Sequence, residues 1–353
     1  MKVGHLRKFR YRQPRFQAFI VSFLTFKASI SRRYKETMIS FNEFSELHHA
    51  ITLLGMSGVG KTMLSKELRK SANWFHYSAD YRIGTRYLAE DIVDNIKYKV
   101  MQMDDQFVAD LLKSDSIYIQ HNISVDNLDP VLSFLGMYGD AAQGGLNKAT
   151  FLERQELYRD AEVRSMKELD RFIRKSWDIY GCQQFINDAS GSLCEICDPY
   201  DEKDSVLKAL QDETLILYIQ SDARTEQDLI ARAKSSPKPL FYHPSFIAPI
   251  LADKPHDGVG VGPLDFARPL FPDLLEFRKP RYAAIAERLG FTIGVSDLFV
   301  TETPNTTTPD ADRFMLNIYD AITAQATTSD AAAKSLDAYI ATCKTRAQER
   351  NKD

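Results

Sequence analysis

The run Gly55-Met56-Ser57-Gly58-Val59-Gly60-Lys61-Thr62 constrains this chain more than any other feature, because it sits between an apolar stretch, Ile51-Thr52-Leu53-Leu54, and a helical pattern from Lys61 to Lys70. Its spacing is that of a phosphate-binding loop. Glycines at these places let consecutive backbone N–H groups point at phosphate oxygens, and the helix that begins there presents the positive end of its dipole. Lys61 is expected at the β- and γ-phosphates of a triphosphate, and the Thr62 hydroxyl at magnesium. The implied ligands are ATP and Mg2+.

The apolar run before Gly55 reads as a buried parallel strand. Further strands are expected at 74–78, 184–187, 214–219 and 291–295, each a short apolar or β-branched run bounded by polar turns. Helical patterns between them imply an α/β chain of the three-layer P-loop NTPase kind, a parallel five-stranded sheet covered on both faces. Met63, Leu64 and Leu68 should face inward from the first helix.

About one hundred residues separate the second and third strands, far more than an ordinary crossover needs. Thr150 and Glu153 have the spacing of a capping box. One helix is expected from there to about Trp177, with Tyr158, Ala161, Leu169, Phe172, Ile173 and Trp177 at helical spacing. Its charges, Arg154, Arg159 and Arg164 among them, read as a solvated face. Gly136, Gly139, Gly144 and Gly145 mark a mobile stretch, so the insertion is expected to be a lid over substrate. A Pro- and Gly-rich segment from Pro237 to Pro272 reads as a second, irregular insertion. The chain therefore divides into a tail at 1–37, a core at 38–103, a helical insertion at 104–182, more core at 183–300, and a linker with terminal helices at 301–353.

Charge is distributed unevenly. Residues 1–37 carry ten Lys or Arg and one acid, Glu36, which leaves 35 basic and 47 acidic side chains from Met38 onward. A surface that acidic argues against nucleic acid as the partner. The apolar stretch from Phe16 to Phe26 is too short to span a bilayer, and residues 1–37 are read as a disordered tail or as sequence upstream of a true start at Met38. Four cysteines, at 182, 194, 197 and 343, are too few for a disulfide scaffold and fit a reducing, cytoplasmic compartment. Cys194 and Cys197 lack a second metal-ligating pair and read as buried thiols.

Phosphoryl transfer needs groups that orient the acceptor and hold magnesium. Asp80 and Asp188 are the candidates, since each follows a strand whose carboxyl end should lie beside the phosphate loop. Both also stand where a helix N-cap would.

These blocks together resemble the P-loop kinases of small molecules, in particular shikimate kinase and its relatives of the nucleoside-monophosphate-kinase fold. Tyr77-Ser78-Ala79-Asp80-Tyr81-Arg82 looks like the family's second strand and the aspartate that contacts the acceptor hydroxyl, with Ser78 in place of the family's first aspartate. Phe185-Ile186-Asn187-Asp188-Ala189-Ser190-Gly191 sits where the family has a strand and a glycine-rich substrate loop, and Asp188 could replace the missing carboxylate at magnesium. Arg232 and Lys238-Pro239-Leu240 are similar to the adenine-side arginine and the lid. Arg278 and Arg281 fall in the block whose arginine binds a substrate carboxylate. The resemblance implies a kinase of a small metabolite, with Lys61, Asp80 and Asp188 as catalytic groups and Gly191 at the substrate. Both insertions depart from that family, so shikimate itself is not expected. The alternative is an ATPase or nucleotide-dependent switch acting on a protein partner through the long insertion. No guanine-reading Asn-Lys-x-Asp stands in a suitable place, which favours adenine.

Overall fold

The computed structural model describes residues 39–71, 73–301 and 306–350. The basic tail and part of the 301–312 linker lie outside them. Five strands form a single parallel sheet: β1 (Ala50–Leu54), β2 (Trp74–Ser78), β3 (Gln184–Asp188), β4 (Leu215–Gln220) and β5 (Phe291–Gly294), in spatial order β2-β3-β1-β4-β5. Every residue of β1 and β3 is buried. Successive strand side chains point to opposite faces, so both faces of the central sheet are covered. The strand order, with the phosphate loop at the end of β1, makes this the three-layer P-loop fold of the nucleoside-monophosphate-kinase kind.

The Lys61–Lys70 helix packs on β2 and β3, and the Leu270–Leu289 helix on β4 and β5. The C-terminal helices Ala311–Ala326 and Asp330–Arg350 pack on one another, the first of them also on β5. Leu64 and Leu68 are buried as expected, but Met63 is 46% exposed. It lies two residues into the helix, on the side that the sheet does not cover.

The long insertion is less separate than its length suggests. In place of one helix there are two, Lys148–Lys167 and Leu169–Asp178, meeting at Glu168. The first is capped by Asn147, whose side chain accepts from the Thr150 N–H, so Thr150 is the third helical residue and not the cap. Tyr158, Ala161, Met166, Leu169 and Ile173 belong to the main hydrophobic core, which makes this helix pair part of the layer beside the sheet. Arg154 is buried, not solvated: it donates to the Phe134 carbonyl and, at 2.6 Å, to Asn95 Oδ1. Arg159 is exposed and paired with Glu156.

Of the glycines in the stretch expected to be mobile, Gly136, Gly139 and Gly145 are closely packed, while Gly144 is exposed with nothing near it. Gly139 accepts no side chain without collision, since a Cβ there would meet the Val261 carbonyl oxygen at 2.7 Å, and its N–H donates to the Leu146 carbonyl. The Pro237–Pro272 stretch is likewise not irregular throughout. It holds the helices Pro244–Leu251 and Pro263–Ala267, both with proline in the first turn, where a missing N–H costs nothing. Tyr138 and Phe151 from the first insertion and Tyr242, Ile247 and Phe266 from the second form a small core of their own. No helix among the described residues is long and apolar enough to cross a membrane.

Candidate active site

The phosphate loop hangs on β1 between its two neighbours. Gly55, Gly58 and Gly60 all have positive φ, at 142, 92 and 100°, a region closed to most side chains. Gly60 ends the loop and starts the helix without any side-chain cap, so the first-turn N–H groups remain available to an anion. The loop is also closely walled. A Cβ at Gly58 would lie 2.9 Å from Leu229 Cδ2, and one at Gly60 would lie 2.7 Å from the Phe299 ring. Met56 and Val59 are buried and anchor the loop from below.

Lys61 is buried, with its Nζ donating to the carbonyl oxygens of Gly55 at 2.7 Å and Met56 at 3.1 Å. Burial pushes its pKa down, against the opposing pull of Asp188 and Asp80. An ammonium curled onto its own loop is positioned to exchange two carbonyls for phosphate oxygens. Thr62 follows it and is half-buried.

Strand register brings the carboxylates to the same end. Asp188 closes β3 opposite Leu53 of β1 and Ser78 of β2. It is buried, with Oδ2 3.5 Å from Nε2 of the buried His76. The cap after β2 is Ser78, whose hydroxyl accepts from the Tyr81 N–H. Neither aspartate is therefore spent on a cap. Asp80 points from the first turn of the short helix Ala79–Arg82, and the backbone then opens into a π-helical turn, Ile83–Tyr87. Burial, and the nearby Asp188 charge, push the Asp80 carboxyl up from its ordinary value, with Lys61 opposing.

A row of hydroxyls leads away from Asp80. Tyr158 of the inserted helix donates to Asp80 Oδ1 at 3.2 Å and lies 3.2 Å from Ser190 Oγ; Ser190 meets Ser192 at 2.9 Å, and Ser192 donates to Glu162 Oε2 at 2.6 Å. Glu162 has no exposure, its Oε1 finds no hydrogen-bond partner, and burial pushes its pKa up to about 8. The sequence pattern puts the serines in the expected substrate loop but marks neither Tyr158 nor Glu162 as a site group. Tyr158 reads there only as part of an apolar face, and Glu162 lies four residues further along the same helix, which is the spacing that puts both on one side.

Two spaces flank the loop. One is a cleft of about 300 Å3, lined by Ser57, Gly58, Leu229, Arg232, Lys238 and Leu240 among others. Arg232 reaches the Gly58 carbonyl through Nη2 at 3.3 Å. The other is a cavity of about 70 Å3, where Asp80, Tyr158, Ser190, Gly191, Ser192 and Arg278 face an apolar wall that includes Val131, Leu135 and Phe241. Ser57 and Leu240 line both. Gly191 presses on the loop so closely that a Cβ would sit 2.7 Å from the Ser57 nitrogen.

The two arginines expected as anion anchors are placed differently. Arg278 is 1% exposed and its Nε donates to Glu195 Oε2 at 2.8 Å; Nη2 donates to the same oxygen and, at 2.9 Å, to the Phe241 carbonyl. Burial disfavours its charge, but Glu195, with Tyr282 and Cys194 behind it, raises its pKa overall. Arg281 does not line the cavity. It donates to the carbonyl oxygens of Cys194 and Cys197, at 2.7 and 2.8 Å. All four cysteines are buried, and Cys194, Cys197 and Cys343 are free thiols.

Hard oxygen donors at Thr62 and Asp188, beside a glycine loop whose N–H groups are open to an anion, suit magnesium, which takes one or two carboxylates and fills its octahedron with phosphate and water. No cluster of three or more His, Cys, Asp or Glu among the described residues makes a self-sufficient metal site.

No known protein family matches the sequence, and no curated protein matches it. Among solved structures the chain is similar to shikimate kinase from Bacteroides thetaiotaomicron, at 15% identity over 77% of this chain and 95% of that one, with a TM-score of 0.32. The fold assignment rests on strand order, register and the glycine cradle, not on that likeness.

Proposed function

We propose that the protein is an ATP-dependent phosphotransferase that passes a γ-phosphoryl group in line to a hydroxyl of a small acceptor. The observation that carries this reading is the pair of spaces meeting at Ser57, one lined by the nucleotide-side groups and the other by Asp80. A hydrolytic switch has no need of a second walled compartment.

In this reading the loop amides and Lys61 hold the β- and γ-phosphates, while Arg232 and Lys238 cover the nucleotide from the cleft. Thr62 and Asp188 would hold magnesium, which neutralises charge between the phosphates. Asp80 takes the proton from the acceptor hydroxyl as it attacks, a task for which a carboxyl of raised pKa is better suited than an ordinary one. Holding both reactants across one loop residue supplies the orientation on which such transfer mostly depends.

The test is ADP release from MgATP by the purified protein, with and without a pooled metabolite library, beside Lys61→Ala. Release that requires the pool and disappears in the variant supports the proposal. Equal release without the pool makes the protein an ATPase and turns attention to protein partners.

A further inference from the structure

We infer that the acceptor is an uncharged alcohol, not a hydroxy acid or a phosphate ester, and that Glu195 sets this preference. The inference rests on the phosphotransferase reading and adds a substrate class to it. The charged side chains lining the acceptor cavity are Asp80 and Arg278. Arg278 would be the natural anchor for a carboxylate, but its charge is already balanced: the Glu195 carboxylate receives two of its three guanidinium nitrogens, Nε and Nη2, and is itself held by the backbone N–H of His243 at 3.0 Å. The pair is buried on both sides, at 2% and 0% side-chain exposure. Its net charge is zero where an anion would need a cation.

The surrounding charges deepen that bias. Asp80 lines the cavity with the Asp188 charge close by, and Lys61, the cation that opposes them, is taken up by phosphate in the phosphotransferase reading. An acceptor carrying its own negative charge would meet only a guanidinium already neutralised by Glu195, and would have to give up water without gaining a full counter-charge. A neutral alcohol meets a better match. Its reacting hydroxyl faces Asp80, further hydroxyls face Tyr158, Ser190 and Ser192, and its carbon skeleton lies against Val131, Leu135 and Phe241.

The experiment uses three acceptor pools in matched skeletons: neutral alcohols and polyols, the corresponding hydroxy acids, and phosphate monoesters. Acceptor-dependent ADP release is followed by 31P NMR of the product, and the melting temperature of the MgADP-loaded protein is measured with each pool. Preference for the neutral pool by about tenfold or more, the worth of one poorly paired charge, supports the inference. Preference for acids or phosphate esters overturns it while leaving the phosphotransferase reading intact. If no pool promotes ADP release, the phosphotransferase reading fails and the inference that rests on it falls with it, whichever pool raises the melting temperature. Glu195→Gln, provided its circular dichroism matches wild type, should shift the acid-to-neutral ratio toward acids by roughly tenfold. An unchanged ratio in a folded variant removes Glu195 from the account. Should the variant fail to fold, the matched pools on the wild-type protein still decide between a neutral and a charged acceptor.

Discussion

Glu162 is the residue whose environment has the clearest thermodynamic consequence. In the unfolded chain it titrates near its ordinary 4.5, and in the folded protein burial holds it protonated up to about 8; Ser192 and Arg278 oppose the shift, and Asp80 and Glu195 reinforce it. Between those two values the folded state binds more protons than the unfolded one, so stability contributed below pH 4.5 is lost as pH rises toward 8. The loss is at most about 5 kcal/mol for a shift of this size. Glu162→Gln removes the titration, so its melting temperature should exceed that of wild type by a margin that widens from about pH 5 to about pH 8 and then levels. Parallel curves for the two proteins would show that Glu162 is ionised in the fold. A second prediction belongs to Gly191, whose φ is unremarkable and whose constraint is contact alone. Gly191→Ala should push Ser57 and weaken ATP binding about tenfold or more while the sheet melts normally, as calorimetry and titration would show. At this scale the sequence reveals what local spacing encodes: the loop from Gly55 to Thr62, and the aspartates after two strands. It does not reveal Glu195 or Glu162. Their partners are 83 and 30 residues away, and an isolated glutamate on a helix has no local sign of burial.

The secondary elements follow the same rule. All five strands are legible because a buried parallel strand is a short, nearly continuous apolar run between turns, and observed ends differ from expected ones by about one residue, within ordinary boundary scatter. Where a helix begins inside a long polar insertion is harder to see, because Thr150 with Glu153 and Asn147 with its own N3 residue offer competing starts. The structure decides for Asn147, and this can be measured. Asn147→Ala should cost about 1 kcal/mol in denaturant unfolding, the usual worth of an N-cap, whereas Thr150→Ala, at a helical position where Ala is the better helix former, should be neutral or stabilising by a few tenths of a kcal/mol. Since the Lys148–Lys167 helix carries Tyr158 and Glu162 into the site, the Asn147 variant should also show slower turnover. A larger cost at Thr150 than at Asn147 would restore the capping-box start.

At the scale of the whole molecule, the two insertions share one small core. Tyr138 lies at its centre, fully buried, with its hydroxyl donating to the Pro255 carbonyl and its ring edge-on to Phe151 and Phe266. Gly139, Gly145 and Gly258 bring three backbone segments into direct contact, closer than any side chain would allow. Pattern alone could not show this, because glycines read as freedom until a second strand of chain is known to lie against them. This small core is separate from the one around the sheet, yet Leu240, which packs on both, also lines both spaces at the phosphate loop. Loosening it should therefore alter the site before it alters the sheet. Tyr138→Ala leaves a large void and should cost about 3 to 5 kcal/mol locally. Hydrogen exchange should then speed up together in residues 136–147 and 240–274, with β1, β3 and β4 still protected, and acceptor affinity should fall more than ATP affinity. Simultaneous loss of protection in the sheet would mean that the two cores unfold as one cooperative unit, and that the acceptor side has no independent stability with which to open and close.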